Sequence, residues 1–170
     1  NGISGVGPKT LPGEENRNLI DAGGDYVSVR PGGAFFDSAV SFALVRSGRL
    51  DFSLLGAFEV AANGDLANWT IPGRFTPGAG GAIELAQRAR QVAVITTHTE
   101  KKGRPKILES CQLPLTAPRC VDRIYTDMAD CEIKNGELHL LEIAETTTVT
   151  DVINSTGADM ILPDGAVPTF

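Results

Sequence analysis

The sequence predicts an α/β fold, with helix, sheet and helix in layers around a mixed, mostly parallel sheet and a hairpin near the C-terminus. Continuous apolar runs at residues 50–60 and 91–98 are typical of strands that are covered on both faces, as in parallel sheets. Helical patterns at 38–47 and 81–90 alternate with these runs. The Asn-Gly pair at 135–136, between alternating apolar residues, predicts a hairpin turn because both turn residues need positive φ.

The first 33 residues are dense in glycine and proline, in the stretches GVGP, LPGEEN, DAGGD and RPGG. Glycine has wide backbone freedom and proline has a fixed φ, and both favour turns over long elements. We therefore expect residues 1–33 to be mostly loop, with one short strand at 26–30.

The helix at 38–47 is expected to begin with Asp37 or Ser38 as its N-cap and to end before Gly48. The run LDFSLLGAFEV at 50–60 then predicts one buried strand, whose end should face a ligand crevice. Weaker strands are predicted at 106–110 and 121–126. A last helix is predicted to start at Thr147 or Thr148 and to end near Gly157, with a short strand at 159–162 after it.

The length, charge and composition of the chain limit the kinds of function that it can have. The 170 residues suit one domain, spanning 1–170, and no apolar run is long enough to cross a bilayer. The net charge is −6 and no Lys/Arg stripe exists beyond the short EKKGRPK loop, so neither nucleic acid nor a membrane is expected as a partner. Three cysteines without paired spacing indicate reduced thiols in a cytoplasmic protein, and two separated histidines favour no metal site.

The loop PGAGGA, just before the helix at 81–90, is the first candidate for chemistry. Its glycines Gly78, Gly80 and Gly81 can present bare backbone N–H groups at the positive end of a helix, where anions or developing oxyanions bind. The spacing is not that of a dinucleotide fingerprint. A plain turn before a helix is the competing interpretation.

Other candidate binding residues are Asn1 and Gly2 in the opening NGISGVG, Glu59 at the end of the 50–60 run, and Asn68. For each, a structural role is the alternative. His98 closes a buried strand, and a lone histidine there is more often a hydrogen-bonded structural group than a base.

Six ordered blocks carry a resemblance to a known family. They are NGISGVGP, FFDSAVSFALVRSGRLD, LLGAFEVAANGDLANWTIPG, GAGGA, LPLTAPRCVDRIYT and LHLLEIAETTTVTDVINSTGA. Together they resemble the β subunit of family I CoA-transferases, and specifically the type that uses succinyl-CoA with acetoacetate or 3-oxoadipate.

The resemblance implies a covalent mechanism. The family's nucleophile is a glutamate in a Ser-Glu-Asn-Gly stretch, and Asn1 and Gly2 match its last two members, so the glutamate is expected immediately before Asn1. We also expect that Asn1 is not a translation start and that an upstream segment precedes it. The glutamate would form an acyl anhydride and then a glutamyl-CoA thioester. The family's glycine loop matches Gly78, Gly80 and Gly81, with Gly80 and Gly81 favoured as oxyanion donors.

The resemblance also implies CoA or acyl-CoA as substrate, no permanently bound cofactor, and a companion α subunit or domain in an α2β2 assembly. One departure concerns Glu59, because the similar family members usually have glutamine there. An extra carboxylate near the acyl group would alter acid preference. Two other functions stay open at this point: acyl-CoA hydrolysis on the same scaffold, and a non-catalytic ligand-binding or assembly module.

Overall fold

The computed structural model describes residues 2–76 and 78–170, so the candidate Asn1 lies outside the described residues. The chain divides into two compact units, Asn1–Leu44 and Val45–Phe170, which we call unit 1 and unit 2. Unit 2 contains the main hydrophobic core and most of the candidate site residues.

Unit 1 is built on an antiparallel pair of strands, β1 (Ile3–Lys9) and β2 (Val27–Phe35). The predicted strand at 26–30 is present as part of the longer β2, whereas the expectation of mostly loop over residues 1–33 misses β1. The strands are irregular, with register shifts between Ser4 and Val6 and between Val6 and Lys9. Such irregularities are typical of β-bulges, which tolerate glycine well.

Glycines inside this strand pair have a packing role. A Cβ on Gly33 would lie 2.7 Å from the backbone oxygen of Ser4, and one on Gly7 would meet the Ser28 hydroxyl. The two backbones approach each other so closely that larger residues are excluded. A pattern that predicts turns from glycine content cannot distinguish this use of glycine from a loop.

The helix α1 (Ser38–Arg46) confirms the prediction for 38–47. Asp37 caps it, since its Oδ1 accepts a hydrogen bond of 2.8 Å from the Val40 backbone N–H. Gly48 ends it with a φ of 70°, a left-handed conformation that glycine adopts without strain.

Unit 2 contains a five-stranded sheet in the order β10-β9-β8-β6-β3. Strands β3 (Phe52–Leu55), β6 (Gln91–Ile95) and β8 (Arg123–Tyr125) pair in parallel, and β9 (Ala129–Lys134) and β10 (Glu137–Ile143) add an antiparallel hairpin. This confirms the α/β class, the mixed sheet and the C-terminal hairpin. The expectation of a mostly parallel sheet is not met, because two of its four strand pairings are parallel and two are antiparallel. Asn135 and Gly136 form the turn of the hairpin with φ values of 56° and 80°.

The predicted single strand at 50–60 is wrong in two respects. The run is divided between β3 and β4 (Glu59–Ala61), which belong to different sheets. β3 is also an edge strand, and its Phe52 and Leu54 are about half exposed, at 47% and 50%. The parallel pairing of β3 with β6 ends at Leu55, and the chain leaves this sheet at Gly56.

A second, three-stranded sheet has the order β5-β4-β7, with β5 (Leu66–Ala67) antiparallel and β7 (Ile107–Leu108) parallel to β4. The weak strands predicted at 106–110 and 121–126 are thus present but shorter, as β7 and β8. Side chains of both sheets form one buried cluster, which includes Val60, Ile107, Ile124, Leu138 and Leu140.

Two further helices contribute to this core. α2 (Ala82–Arg88) buries Ala86, and α3 (Val149–Ser155) buries Val152. Thr148 caps α3 in a capping box with Asp151, as one of the two predicted alternatives. Gly157 is not a left-handed helix stop. It makes a parallel bridge with Leu108, and the predicted strand at 159–162 is only an isolated bridge at Ile161.

Candidate functional site

The glycine loop before α2 has a backbone that glycine alone adopts readily. Gly78 and Gly80 have φ values of 109° and 54°, and an added Cβ on either would meet no atom within 4 Å. Glycine is therefore required here by conformation rather than by crowding. Gly81 is the N-cap of α2 with a φ of −86°, and no side chain of the described residues caps the helix.

This loop leaves backbone donors available for chemistry. The first N–H groups of a helix have no partner within the helix, and Gly81 has no side chain to accept from them. The Ala82 N–H donates to the Ala79 oxygen over 3.3 Å, and the turn formed in this way places Gly80 and Gly81 directly before the positive end of the helix. The arrangement can hold an anionic oxygen.

An ion pair holds the first turn of α2. Arg46 donates to the two carboxylate oxygens of Glu84 over 3.1 and 2.7 Å. The hydrogen bonds from Arg46 keep the pKa of Glu84 below its ordinary value. Because Glu84 stays charged, its negative charge lies at the positive end of the helix, which stabilises the helix start.

Glu59 begins a strand rather than ending one, which corrects the sequence interpretation. Its Oε2 accepts two hydrogen bonds, of 2.7 Å from the Gln112 N–H and 2.9 Å from the Leu113 N–H. The carboxylate is half-buried and fixes the segment that follows Cys111. The structure thus shows a loop-anchoring role for Glu59.

Asn68 also anchors backbone. Its Nδ2 donates to the Gly56 oxygen at 2.9 Å, and its Oδ1 accepts from the Thr116 hydroxyl at 2.7 Å. The connection at residues 56–58, which joins β3 to β4, is held further by Thr96, whose hydroxyl donates to the Ala57 oxygen at 3.1 Å. The carboxyl end of β3 is therefore rigidly tied to β5 and to the end of β6.

Lys106 is a residue that sequence reasoning missed, since the pattern places it between a solvated loop and a weak strand. Its Nζ donates to the Thr96 and Thr97 hydroxyls, at 2.9 and 2.8 Å. The residue is half-buried and lies directly before β7. A lysine directly before an apolar pair is too common a pattern to reveal this, and the threonines are brought to it by the fold.

His98 is a structural histidine, as predicted. Its ring is fully buried, and its nitrogens lie 2.9 Å from the Thr126 hydroxyl and 2.9 Å from the Thr156 hydroxyl. Burial lowers the pKa of His98, and the charge of Asp127 only partly opposes this. A neutral ring that is bonded on both sides links the end of β6 to the C-terminal end of α3.

The cysteines are poor nucleophiles. All three are free thiols, and burial raises the pKa of Cys120 to about 11 and that of Cys111 and Cys131 to about 12. Since the thiolate is the reactive form, these side chains are protonated and unreactive near pH 7.

The predicted site residues fall into separate groups. Glu59 and Asn68 lie close together, because Glu59 pairs with Ala67 in the β4–β5 ladder. Gly78, Gly80 and Gly81 form the loop before α2. Gly2 belongs to unit 1, where its carbonyl accepts a hydrogen bond of 3.0 Å from the Phe36 N–H.

Within residues 2–76 and 78–170, no group of three or more His, Cys, Asp or Glu side chains is arranged to hold a metal ion. In the same described part of the chain, no helix combines the length and the apolar character needed to cross a bilayer.

Comparison with known proteins gives the family. The family model described as Coenzyme A transferase matches residues 1–155. The chain is 42% identical over 159 residues to the B-type subunit of a probable succinyl-CoA:3-ketoacid coenzyme A transferase of Bacillus subtilis, covering 94% of this chain and 74% of that protein. It is 44% identical over 162 residues to the B-type subunit of the 3-oxoadipate CoA-transferase of Acinetobacter baylyi, covering 95% of this chain and 75% of that protein.

A solved structure shows the same fold. The acyl-CoA transferase YdiF apoenzyme of Escherichia coli O157:H7 superposes with a TM-score of 0.69 at 21% identity, over 85% of this chain and 32% of that longer chain. The structural likeness agrees with the mixed sheets described above, and the sequence match extends over nearly all of the chain. The chain therefore belongs to the coenzyme A transferase family.

Proposed function

We propose that the chain is the catalytic β-type subunit of a CoA-transferase that moves CoA between succinyl-CoA and a 3-oxoacid, either acetoacetate or 3-oxoadipate. One observation carries this proposal. Two relatives that are 42% and 44% identical over more than nine-tenths of the chain are named for 3-oxoacid substrates, one as a probable succinyl-CoA:3-ketoacid transferase subunit and one as a 3-oxoadipate transferase subunit.

The proposed chemistry uses a glutamate directly before Asn1 as the nucleophile, as the resemblance implies. Its carboxylate attacks the acyl-CoA carbonyl, and CoA leaves as the thiolate to give a mixed anhydride. The thiolate then attacks the glutamyl carbonyl, which releases the first acid and forms a glutamyl-CoA thioester. The second acid reverses these steps, so the overall reaction consumes one acyl-CoA thioester and forms another.

In this proposal the glycine loop stabilises the negative charge of each tetrahedral intermediate. The N–H groups of Gly80 and Gly81 are the proposed donors, and Gly78 shapes the loop beside them. The open, positive-φ backbone of Gly78 and Gly80 supports this role, as does the uncapped start of α2. Loss of one such donor commonly lowers kcat by about 100- to 1000-fold.

Four other residues are proposed to contribute to substrate binding. Glu59 and Asn68 support it by fixing the backbone at the carboxyl end of β3. Asn1 and Gly2 would lie beside the nucleophile in the chain. Residues 1–170 are proposed to act as one β-type domain.

The companion is proposed to be an α subunit in an α2β2 assembly. Support comes from the names of the relatives, each of which is one subunit, the B type, of a CoA-transferase. We place the enzyme in the cytoplasm, where the three free thiols would stay reduced.

Product analysis tests the function. The complete subunit, co-purified with its companion, is mixed with succinyl-CoA and either acid, and the products are separated by chromatography. Transfer gives the new acyl-CoA and succinate in equal amounts, and only when an acceptor is present. Free CoA formed without an acceptor would indicate a hydrolase, and no turnover in any mixture would indicate a binding module. Either result would overturn the proposal.

A further inference from the structure

We propose that Lys106, positioned by Thr96 and Thr97, binds an anionic oxygen group of a substrate, either a carboxylate or a phosphate. This inference rests on the proposed function, because acyl-CoA and the exchanged acids carry both kinds of group. It concerns a residue that lies outside the glycine loop and has no part in the bond-breaking steps described above.

The ammonium group is held in place by acceptors that are themselves oriented. The Thr96 hydroxyl donates its proton to the Ala57 oxygen at 3.1 Å, and the Thr97 hydroxyl donates to the Thr99 oxygen at 2.8 Å. Each hydroxyl oxygen is then left to accept from Lys106, at 2.9 and 2.8 Å. An ammonium group has three donors, so one remains for a ligand.

The positive charge of Lys106 has no partner within the described part of the chain. The ion pairs found there use other cations: Lys9, Arg46, Arg90, Arg104 and Arg123. Among the described residues, the hydrogen-bond partners of the Lys106 ammonium group are neutral hydroxyls, which orient the group but do not neutralise it. A half-buried, oriented and uncompensated cation is what an anion subsite requires.

Glu59 lies opposite Lys106 in the pairing of β4 with β7, but its carboxylate binds other groups. The Val60 N–H donates to the Lys106 oxygen at 2.9 Å, which sets Glu59 beside Lys106 across the β4–β7 pair. The Glu59 Oε2 nevertheless bonds the Gln112 and Leu113 N–H groups and forms no ion pair with Lys106. The two side chains are held apart by their own partners.

The location also favours a ligand. Thr96 and Thr97 follow β6 directly, so Lys106 binds at the carboxyl end of β6, and Thr96 links this point to Ala57 beyond the end of the adjacent parallel strand β3. In open α/β sheets, ligands bind in the crevice outside this edge. The lysine thus brings a fixed positive charge to the edge where the fold places substrates.

The test compares Lys106→Gln with wild type in the complete two-subunit enzyme. Glutamine keeps an NH₂ donor for the threonines and removes the charge. The controls are Lys106→Arg, which keeps the charge, and Lys102→Gln, which removes a lysine from the exposed neighbouring loop. Thermal unfolding confirms that all variants are folded. Kinetics use succinyl-CoA and its 3′-dephospho analogue with acetoacetate or 3-oxoadipate, and calorimetry measures binding of succinate and of adenosine 3′,5′-bisphosphate.

We expect Lys106→Gln to raise KM for one substrate by about 10- to 100-fold, with kcat changed much less, since an ion-assisted hydrogen bond is lost. Lys106→Arg should recover part of the affinity, and Lys102→Gln should match wild type. If the rise in KM is absent with the 3′-dephospho analogue, the ligand of Lys106 is the 3′-phosphate of CoA. If the rise is seen with 3-oxoadipate but not with acetoacetate, the ligand is the second carboxylate of the acid.

Equal kinetics and equal binding for Lys106→Gln and Lys102→Gln would overturn the inference. If the wild-type enzyme transfers no CoA, the proposed function fails, but the calorimetric titrations still decide the Lys106 site. Wild type that binds neither succinate nor the bisphosphate would also overturn it.

Discussion

Glu59 combines a structural contact with a charge, and substitutions can separate the two. Glu59→Gln keeps an oxygen that accepts from the Gln112 and Leu113 N–H groups, whereas Glu59→Ala leaves both donors without their partner. We expect Glu59→Ala to lower the free energy of unfolding by about 1–3 kcal/mol and Glu59→Gln by much less. Urea unfolding measures both.

The charge of Glu59 affects acid choice only if it lies near the acyl group. Removing a carboxylate that repels the second carboxylate of 3-oxoadipate should raise its kcat/KM relative to acetoacetate by about 5-fold, which corresponds to ~1 kcal/mol. Unchanged kinetics of Glu59→Gln with every acid would confine Glu59 to its loop-anchoring role.

His98 makes stability depend on pH in a defined direction. Its pKa in the folded protein lies below the ordinary value of 6.5, because burial disfavours the charged ring. Below pH 6.5 the unfolded chain takes up a proton that the folded chain does not. Stability is therefore fully present above pH 6.5 and falls, by at most about 1.4 kcal/mol per pH unit, as the pH drops toward the folded pKa.

Replacement of His98 isolates this contribution. His98→Gln should be less stable than wild type at pH 7.5, because the bonds to Thr126 and Thr156 are weakened, and its stability should change less between pH 7 and pH 5. His139→Gln keeps His98 and should keep the wild-type pH dependence. A His98→Gln profile parallel to wild type would show that His98 is not the group that titrates.

At the scale of elements, the sequence predicts correctly where local chemistry fixes the backbone. Asn135-Gly136 and Thr148 set a turn and a helix start through their own φ values and side-chain bonds. The single strand expected at 50–60 is wrong because the division of this run depends on which partner each half meets. β3 pairs with β6, and β4 pairs with β5 and β7.

The same distinction applies to the candidate site. The glycine loop can be found in the sequence because positive φ requires glycine, and this requirement is visible there. Lys106 cannot be identified from the sequence, since Thr96 and Thr97 lie nine to ten positions earlier and are brought to it by the turn at 99–105. A lysine side chain carries no local sign of its eventual partners.

Gly33 offers a test of the β1–β2 pair. A Cβ there would lie 2.7 Å from the Ser4 oxygen, whereas a Cβ on Gly56 would meet nothing within 4 Å, and neither glycine has positive φ. We expect Gly33→Ala to destabilise unit 1 by about 1–3 kcal/mol through overpacking, and Gly56→Ala to be nearly neutral. Amide exchange of β1 and β2 reports the change, and equal protection in both variants would contradict the close approach.

At the scale of the whole molecule, the hydrophobic core is distributed unevenly. Among the described residues of unit 1, Val27 is the only buried apolar side chain, whereas unit 2 contains the continuous cluster built from both of its sheets. A two-stranded pair without a core of its own is marginally stable in water. We therefore expect most of the free energy of cooperative unfolding to come from unit 2.

Hydrogen exchange on the chain should reveal this difference directly. Several side chains of β9 and β10 are fully buried, among them Cys131, Leu138 and Leu140, so the amides bonded between these two strands should exchange only through global unfolding. Amides in β1 and β2 need only local opening. We expect protection at least about 100-fold higher in β9 and β10, which corresponds to ~3 kcal/mol. Equal protection in the two hairpins would mean that unit 1 unfolds only together with unit 2, and that the two units share one cooperative transition.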